Sequence, residues 1–275
     1  MKYKGIILGT QVTRPTAHLI AEKFNAIYTE MPGIFSSNLP EIEYVFRYGN
    51  TAVQIPEHMA VRVVLFNSLK VVRLMSNKTE CRRSLLDMDV RCPKIYGVED
   101  IQFMQGQPWT PKIARPPHHS QGRNFFIVRD IESACKFLDM GYYIQKIINK
   151  RIEYRMFMFN SLIMEANEKI QIRDNADMLI RNHRRGWAFK KRTLESIKSD
   201  TRRACTAAAE RTRSNWCAID ICEDQDGTPY ILEMNSAPGL IERKVDKLAE
   251  KFFSTMPNFL LPFSEYENEE PRWAD

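Results

Sequence analysis

The first 75 residues alternate between short apolar runs and segments with helical apolar spacing. Lys4–Leu8, Tyr44–Arg47 and Val61–Phe66 predict strands, and Arg14–Ala26 predicts a helix. Strands and helices that alternate at this length are typical of an α/β domain with a mostly parallel sheet. We therefore predict an N-terminal α/β domain over residues 1–75.

The middle of the chain predicts a helix, a long loop and a strand–helix–strand unit. The helix covers Lys78–Met88, and the Pro-rich polar segment Gln105–Gln121, QGQPWTPKIARPPHHSQ, is expected to be largely loop. Phe125–Val128 and Tyr142–Ile148 predict strands on either side of a helix over about Ile131–Leu138.

The C-terminal half predicts two β-hairpins separated by a helix. Short apolar strands flank Asn160-Ser161, which predicts a tight turn. Helical spacing follows over Leu194–Arg213. The second hairpin is WCAIDICEDQDGTPYILEMN, Trp216–Asn235, in which Asp226-Gly227 separates two alternating runs and is a strong hairpin signal.

The second hairpin carries the most informative chemistry in the sequence. With Asp226 and Gly227 as a two-residue loop, Asp220 lies opposite Glu233, and strand alternation places Asn235 on the same face. A four-residue loop leaves these faces unchanged, whereas a three-residue loop does not. Opposed carboxylates destabilise a strand pair unless something neutralises them, and an all-oxygen donor set favours Mg²⁺ or Mn²⁺ over zinc. The alternative is the solvated outer face of an ordinary hairpin.

Composition narrows the class of protein. Hydrophobic residues make up 44% of the chain and charged residues 27%, which is typical of globular proteins. No apolar run approaches the ~20 residues that span a bilayer, and the N-terminal MKYKGIILGTQVTRP lacks a signal-peptide pattern. The six cysteines form no CxxC pair. We therefore predict reduced thiols, a cytoplasmic location and no membrane association.

Net charge indicates which partners are favoured, and glycine content indicates which nucleotide-binding folds are disfavoured. The net charge of +6 favours anionic partners, such as nucleotides, phosphates, acidic peptides or nucleic acid. Glycine accounts for 11 of 275 residues, whereas its typical share is about 7%. That shortage counts against nucleotide-binding folds that depend on several glycine-rich loops.

At the second hairpin the sequence resembles a known family. ILEMNSAPGL is similar to the E-x-N-x-x-P-G metal-binding signature of ATP-grasp enzymes, and AIDI supplies the Asp upstream. The resemblance implies that Asp220, Glu233 and Asn235 hold two Mg²⁺ ions, or Mn²⁺, that bridge the phosphates of ATP. It also implies an α/β (α+β) ATP-grasp fold, with the N-terminal α/β domain followed by a linker helix and ATP lid over 76–146, a C-terminal mixed-sheet domain over 147–265 and a tail over 266–275.

The resemblance continues upstream in the order of the family's motifs. Ile113-Ala114-Arg115 with Ser120–Arg123 is similar to the K-P-x-x-G-S-x-G-x-G phosphate loop, with an Arg in place of the usual Lys and a single glycine. Tyr143–Ile148 is similar to the hinge strand that pairs with adenine, and Glu153 opens a (D/E)-x-R motif that reaches the ribose. The implied ATP-binding residues are Lys78, Arg115, Ser120, Gln121, Gly122, Gln145, Lys146, Ile148 and Glu153.

The implied catalytic residues lie between the hinge and the second hairpin. Arg155 completes the (D/E)-x-R motif and implies a contact with phosphate or acylphosphate oxygens. Lys169 matches a basic residue that contacts the γ-phosphate or substrate in glutamate ligases acting on ribosomal protein. Arg181 and Asn182, in IRNHRRGWAF, resemble the R-x-N segment of the family.

Two features of the sequence bear on this resemblance, an alanine where several ligases have an arginine and a strongly basic segment. Several ligases of the family place an Arg two residues before the metal Asp, where this chain has Ala218. The oxyanion role of that Arg then falls to Arg181 or Arg184, or the reaction differs.

The segment Arg181–Arg192, RNHRRGWAFKKR, has six Arg and Lys residues and no acidic residue. It predicts a patch that binds substrate and phosphate, a nucleic-acid contact with stacking aromatic residues, or a solvated basic loop.

The resemblance implies a ligase that cleaves ATP to ADP and phosphate. A substrate carboxylate attacks the γ-phosphate to give an acylphosphate, and an amine or a thiol then displaces phosphate. The substrates would be small-molecule or peptide carboxylates and amines. Two alternatives stay open, an ATP-grasp kinase that stops after phosphoryl transfer and a non-catalytic ATP-grasp protein that binds nucleotide or nucleic acid. The sequence leaves the identity of the substrates and the oligomeric state open.

Overall fold

The structure is a computed structural model, and the residues that it describes are 5–31, 33–34, 42–60, 63–117 and 125–255. Backbone contacts divide the chain into two units. The first unit comprises Met1–Ser76, Arg213–Cys217 and Asn235–Asp275, and the second comprises Asn77–Thr212 and Ala218–Met234. The domain boundaries expected at residues 75, 146 and 265 stay predictions.

Helices and strands alternate through the described residues, so the predicted α/β class is confirmed. In chain order they are β1 (Gly5–Leu8), α1 (Arg14–Lys23), β2 (Ala26–Thr29), β3 (Tyr44–Arg47), α2 (Glu57–Ala60), β4 (Val64–Phe66), α3 (Leu69–Ser76), α4 (Lys78–Asp87), β5 (Ile95–Tyr96), α5 (Val98–Phe103), β6 (Lys112–Arg115), β7 (Phe126–Val128), α6 (Ile131–Asp139), β8 (Tyr143–Lys146), β9 (Lys150–Phe159), β10 (Leu162–Gln171), β11 (Trp187–Arg192), α7 (Ser199–Arg211), β12 (Trp216–Asp224), β13 (Pro229–Asn235) and α8 (Glu242–Thr255).

The first unit is built on the parallel sheet that the sequence predicts, in the order β2–β1–β3–β4. Aromatic side chains fill its core. The ring of Phe24 lies 5.7 Å from that of Phe46 and 4.5 Å from that of Phe252, and Phe66 lies 4.6 Å from Phe252. Because Phe252 comes from α8, a helix near the C-terminus completes the core of the N-terminal strands.

The second unit begins with a four-stranded antiparallel sheet in the order β5–β8–β6–β7. Its apolar core consists of Ile101, Ala114, Val128, Ala134 and Ile144. The prediction of a loop through this region is wrong over β6, which pairs with β7 on one side and β8 on the other. The prolines that favour a loop flank this strand and do not interrupt its hydrogen bonds.

The main sheet of the second unit has the order β11–β10–β9–β12–β13. The predicted turn at Asn160 and Ser161 joins β9 to β10, and both residues have positive φ angles, 47° and 61°. Such angles match the right-handed twist of hairpin strands. A 3-10 turn covers Leu194–Ser196, so the helix predicted from residue 194 begins five residues later, at Ser199.

No helix in the described ranges has both the length and the apolar character that a membrane span requires.

Candidate active site

A bidentate ion pair on the main sheet forms the centre of the candidate site. Arg155 lies on β9 and Asp220 on the neighbouring β12. Nε of Arg155 donates to Oδ1 of Asp220 over 2.6 Å, and Nη2 donates to Oδ2 over 2.9 Å. Burial by itself would raise the pKa of Asp220, but the charges of Arg155 and Lys169 outweigh burial and lower it. The carboxylate is therefore ionised at neutral pH.

Two lysines extend this pair into a buried network. Nζ of Lys169 lies 3.1 Å from Oδ2 of Asp220 and 2.5 Å from Oε1 of Glu153. Nζ of Lys150 donates to Oε2 of Glu153 over 2.6 Å. Burial opposes the charged form of Lys169, yet Asp220 and Glu153 raise its pKa overall. The contacts therefore form a chain in which cations and carboxylates alternate. It runs from Lys150 through Glu153, Lys169 and Asp220 to Arg155.

Strand pairing explains why these residues meet. Asn167 of β10 lies opposite Arg155, and Phe189 of β11 lies opposite Lys169. Because side chains alternate along each strand, these four residues share one face with Glu153. The Phe189 ring is half exposed, and its centroid lies 5.2 Å from Cζ of Arg155. We call this side of the sheet the active face.

A second carboxylate lies on β13. Nζ of Lys78 lies 3.0 Å from Oε1 of Glu233 and donates to the carbonyl oxygen of Met234 over 2.9 Å. Asp220 is the main reason why the pKa of Arg155 is raised, and Glu233 contributes in the same direction. Asp220 and Glu233 therefore act on the same guanidinium group.

The second hairpin closes with a three-residue loop. The N–H of Asp224 donates to the carbonyl oxygen of Thr228, and the N–H of Gly227 donates to that of Asp224, each over 3.0 Å. Gly227 has a φ of +83°, as expected for a turn that ends in a left-handed glycine. The predicted two-residue loop is wrong because the Asp224 side chain accepts hydrogen bonds from the N–H groups of Asp226 and Thr228, which favours the longer loop.

This loop removes the alternation argument for the predicted metal site. With uninterrupted pairing, a three-residue loop would place Asp220 and Glu233 on opposite faces. The buried positions of β13 are Ile231 and Met234, three residues apart, so alternation is interrupted within the strand. Asn235 ends β13 and belongs to the first unit. Its place beside the two carboxylates stays a prediction.

Arg82 is a residue of this region that sequence reasoning missed. Its Nη1 donates to Oη of Tyr143 over 2.8 Å and to Oε1 of Gln145 over 2.6 Å, and its Nε donates to the carbonyl oxygen of Leu232 over 3.1 Å. It thus ties β8 to β13. The signal that could have found it is its position on α4 four residues after Lys78, on the same helix face.

Comparison with known proteins identifies the fold. No protein-family model matches the sequence, and the search of curated proteins returns no match. D-alanine–D-alanine ligase from Bacillus anthracis aligns over 95% of each chain with a TM-score of 0.65 and 14% identity. The ATP-grasp ligase PsnB aligns over 92% of this chain and 99% of its own, with a TM-score of 0.66 and 13% identity. A RimK domain ATP-grasp protein from Sphaerobacter thermophilus aligns over 90% of this chain and 98% of its own, with a TM-score of 0.58 and 14% identity. The chain has an ATP-grasp fold.

The predicted nucleotide-binding residues are spread over several elements of this ATP-grasp fold. Arg115 ends β6, and its buried Nε has no hydrogen-bond partner in the described structure, so it suits an anionic ligand. Burial lowers the pKa of Arg115. Gln145 is buried, Lys146 ends β8 exposed, and Ile148 is buried just beyond it. Their contacts with ATP stay predictions. Predicted positions that lie outside the described residues are Ser120, Gln121 and Gly122.

Arg181 and Asn182 both bind backbone groups, Arg181 on β9 and Asn182 within its own segment. Nη2 of Arg181 donates to the carbonyl oxygen of Lys150 over 2.7 Å, and its guanidinium lies 4.4 Å from the ring centroid of Trp187. Burial lowers the pKa of Arg181. The side chain of Asn182 accepts from the N–H of Arg185 over 3.1 Å. A catalytic role for either residue stays a prediction.

The basic segment is less positive in the structure than in the sequence. Arg185 forms an ion pair with Asp177, and Arg192 lies 2.5 Å from Glu168. The partners are acidic residues outside the segment, so the sequence of the segment alone overstates its charge. Its exposed side chains include Arg184.

The three residues predicted to bind metal have the oxygen donors that a hard divalent cation prefers. Asp220 and Glu233 offer carboxylate oxygens, and Asn235 offers an amide oxygen. Oδ1 of Asp220 accepts one hydrogen bond, from Arg155, which leaves it a lone pair for a further partner. Among the described residues no three His, Cys, Asp or Glu side chains cluster. Such a set matches Mg²⁺, which usually takes one or two carboxylates and completes its shell with phosphate and water.

Proposed function

We propose that the protein is an ATP-dependent ligase that joins a substrate carboxylate to an amine or a thiol and releases ADP and phosphate. The observation that supports it is the ion-pair network of Glu153, Arg155, Lys169 and Asp220 on the active face. Phosphoryl transfer depends mainly on positioning and charge neutralisation. A preorganised array of alternating charges supplies both, because it is already ordered before substrates bind.

Each residue has a role that its charge and place support. Glu153 would accept hydrogen bonds from the ribose, with Lys150 holding its second oxygen. Asp220, Glu233 and Asn235 would hold Mg²⁺, which neutralises phosphate charge when bound. Lys78 and Arg115 would bind phosphate oxygens.

The reaction would proceed in two displacements. A carboxylate oxygen of the substrate attacks the γ-phosphorus of ATP, and ADP leaves with the bonding electrons. The amine nitrogen then attacks the acyl carbon, loses a proton, and phosphate departs with the C–O electrons. Arg155 and Lys169 would stabilise the phosphoryl oxygens and the developing oxyanion.

Solved relatives guide the choice of substrates to test. One structure of PsnB contains a minimal precursor with Mg and ADP, and another contains a precursor peptide. Peptide side-chain and C-terminal carboxylates therefore belong in a screen beside free amino acids and dicarboxylic acids.

A screen that measures ADP and phosphate in parallel tests the proposal. We expect equal amounts of ADP and phosphate, formed only when a carboxylate and an amine are both present. Asp220→Asn should abolish this turnover, and Asp200→Asn, an exposed change on α7, should not. Turnover by Asp220→Asn at the wild-type rate would refute the assignment.

Ala218 favours a second candidate, a kinase. It is buried two residues before Asp220 and supplies no charge for an oxyanion in the amine-transfer step. A kinase would form ADP without free phosphate, so the same screen distinguishes the two reactions.

A further inference from the structure

A buried guanidinium connects two sheets of the second unit. Arg82 of α4 is 3% exposed. Its Nε and Nη2 donate to the carbonyl oxygen of Leu232 on β13, over 3.1 and 2.5 Å. Its Nη1 donates to Tyr143 and Gln145 on β8, over 2.8 and 2.6 Å. Because β13 is an edge strand of the main sheet and β8 lies inside the antiparallel sheet, the contacts of Arg82 reach both sheets at once.

The hydrogen-bond acceptors around Arg82 are all neutral. They are carbonyl, amide and hydroxyl oxygens, and within the described ranges no carboxylate forms an ion pair with Arg82. A buried cation without an anion is unfavourable compared with an apolar side chain of similar size. A planar guanidinium, however, fixes the directions of several donors relative to one another, which an apolar side chain cannot do. The arrangement therefore indicates a role for Arg82 in geometry.

Helix α4 holds the backbone of β13 on both sides of Glu233. Arg82 binds the carbonyl oxygen of Leu232, directly before Glu233. Lys78 donates to the carbonyl oxygen of Met234, directly after it, over 2.9 Å. The two donors lie one turn apart on the same helix face, and the two carbonyl groups point to the same edge of the strand. The backbone at Glu233 is therefore fixed by two contacts with one helix.

The β8 end of these contacts lies beside the residue proposed to bind phosphate. Arg115 lies directly opposite Tyr143 in the pairing of β6 with β8. Burial lowers the pKa of Arg115, and the nearby charge of Arg82 acts in the same direction. Hydrogen bonds weaken outside about 2.7–3.2 Å, so neither β8 nor β13 can shift far without losing a contact with Arg82.

We propose that Arg82 is a positioning residue that keeps β8, and the nucleotide that would bind beside it, at a fixed distance from Glu233 and its metal ion. The inference rests on the proposed ligase function, in which Arg115 binds phosphate oxygens and Glu233 holds Mg²⁺ on the same phosphates. Both contacts can form together only if the two strands keep their separation. Arg82 would thus make the binding of nucleotide and of Mg²⁺ cooperative, acting through its partners.

Cooperativity between nucleotide and metal is measured as a ratio of two dissociation constants. Isothermal titration calorimetry gives Kd for ADP in Mg²⁺ and in EDTA at matched ionic strength. ADP is the probe because it binds without turnover. Each Kd is independent of the fraction of protein that is folded, so a loss of stability alone does not change their ratio.

The ratio should fall in Arg82→Met and stay unchanged in Arg83→Met. We expect Mg²⁺ to tighten ADP binding about tenfold or more in wild type and less than about threefold in Arg82→Met, as for the loss of coupling between two sites. Arg83 is the next residue of α4 and is exposed, so the same substitution there removes the same charge. Arg83→Met should keep the wild-type ratio within about twofold, as for other surface substitutions.

The remaining outcomes contradict the inference. A wild-type ratio in folded Arg82→Met overturns it and leaves the ligase proposal standing. Two Kd values that rise by the same factor do so as well, because Arg82 would then support ADP binding without coupling it to the metal. A wild-type protein that binds no ADP, or binds it equally well in both buffers, overturns the inference and the ligase proposal together.

A second variant covers the case in which circular dichroism shows that Arg82→Met does not fold. Arg82→Lys keeps the charge but lacks the planar fork that reaches both strands. Its ratio should fall about threefold or more, and an unchanged ratio overturns the inference.

Discussion

Asp220 and Glu223 lie three residues apart on β12, on opposite faces, and both are buried acids held by an arginine. Both oxygens of Asp220 bind Arg155, and Lys169 connects it to Glu153. Glu223 binds Arg151 and accepts from Oγ1 of Thr201, near the start of α7, over 2.7 Å. One network leads to further site residues, and the other leads to a helix.

The difference teaches how to distinguish a functional buried charge from a structural one. Arg155, which holds Asp220, is 25% exposed and lies among groups of the active face, whereas Arg151 is 45% exposed. Burial of the acid and the type of its partner are the same in both places. The onward contacts of the partner therefore carry the distinction, and variants of the two acids can test it.

The largest expected effect is the loss of activity caused by Asp220→Asn. Asp220→Asn keeps the size of the side chain but removes the anion that pairs with Arg155 and one of the two anions that contact Lys169. We expect kcat to fall by about 10³-fold or more, comparable with the loss of a strong electrostatic contact in other active sites. The rate is measured per folded molecule, with the folded fraction taken from circular dichroism. A rate within tenfold of wild type would remove Asp220 from the site.

Arg155→Lys tests whether bidentate geometry matters as well as charge. A lysine keeps the positive charge but cannot make two parallel hydrogen bonds to Asp220. We expect kcat to fall by about 10²-fold, less than for Asp220→Asn. Arg151→Lys is the matched control in the Glu223 network, and its kcat should match wild type. Equal losses of kcat in the two variants would contradict the distinction between the Asp220 and Glu223 networks.

Glu223→Gln should affect stability and leave catalysis intact. It removes the charge that holds Thr201 and Arg151, and we expect the free energy of unfolding to fall by roughly 2 kcal/mol, because Arg151 keeps access to solvent. Urea denaturation measures the change. A loss of kcat per folded molecule, with unchanged stability, would show that Glu223 belongs to the reaction.

Local sequence signals predicted some parts of the molecule well. The turn at Asn160-Ser161 is confirmed because its geometry depends on two adjacent residues and the alternating strands beside them. The prolines beside β6 favour a loop, so the sequence did not predict this strand. It forms because it pairs with β7 on one side and with β8 on the other. The packing of α8 likewise depends on contacts of Phe252 with aromatic residues about 200 positions earlier in the sequence.

At the candidate site, the identity of residues was easier to predict than their geometry. Asp220, Arg155, Lys169 and Glu153 come together as their motifs suggest. The alternation that placed Glu233 beside Asp220 fails, because the side chain of Asp224 sets the length of the loop. Sequence reasoning missed Arg82, because its structural role depends on hydrogen bonds to three residues that are distant in sequence.

Acid titration gives the smallest expected effect and tests the Asp220 network without substrates. The pKa of Asp220 is lowered in the folded protein by Arg155 and Lys169, which outweigh burial. The network therefore stabilises the fold fully above the unfolded pKa of about 3.9, and this stabilisation is lost as pH falls toward the folded pKa. The gap in unfolding free energy between wild type and Asp220→Asn should thus narrow as the pH is lowered below about 4. Asp200→Asn controls for the same change in net charge. A gap that stays constant with pH would mean that Asp220 gains nothing from its two cations.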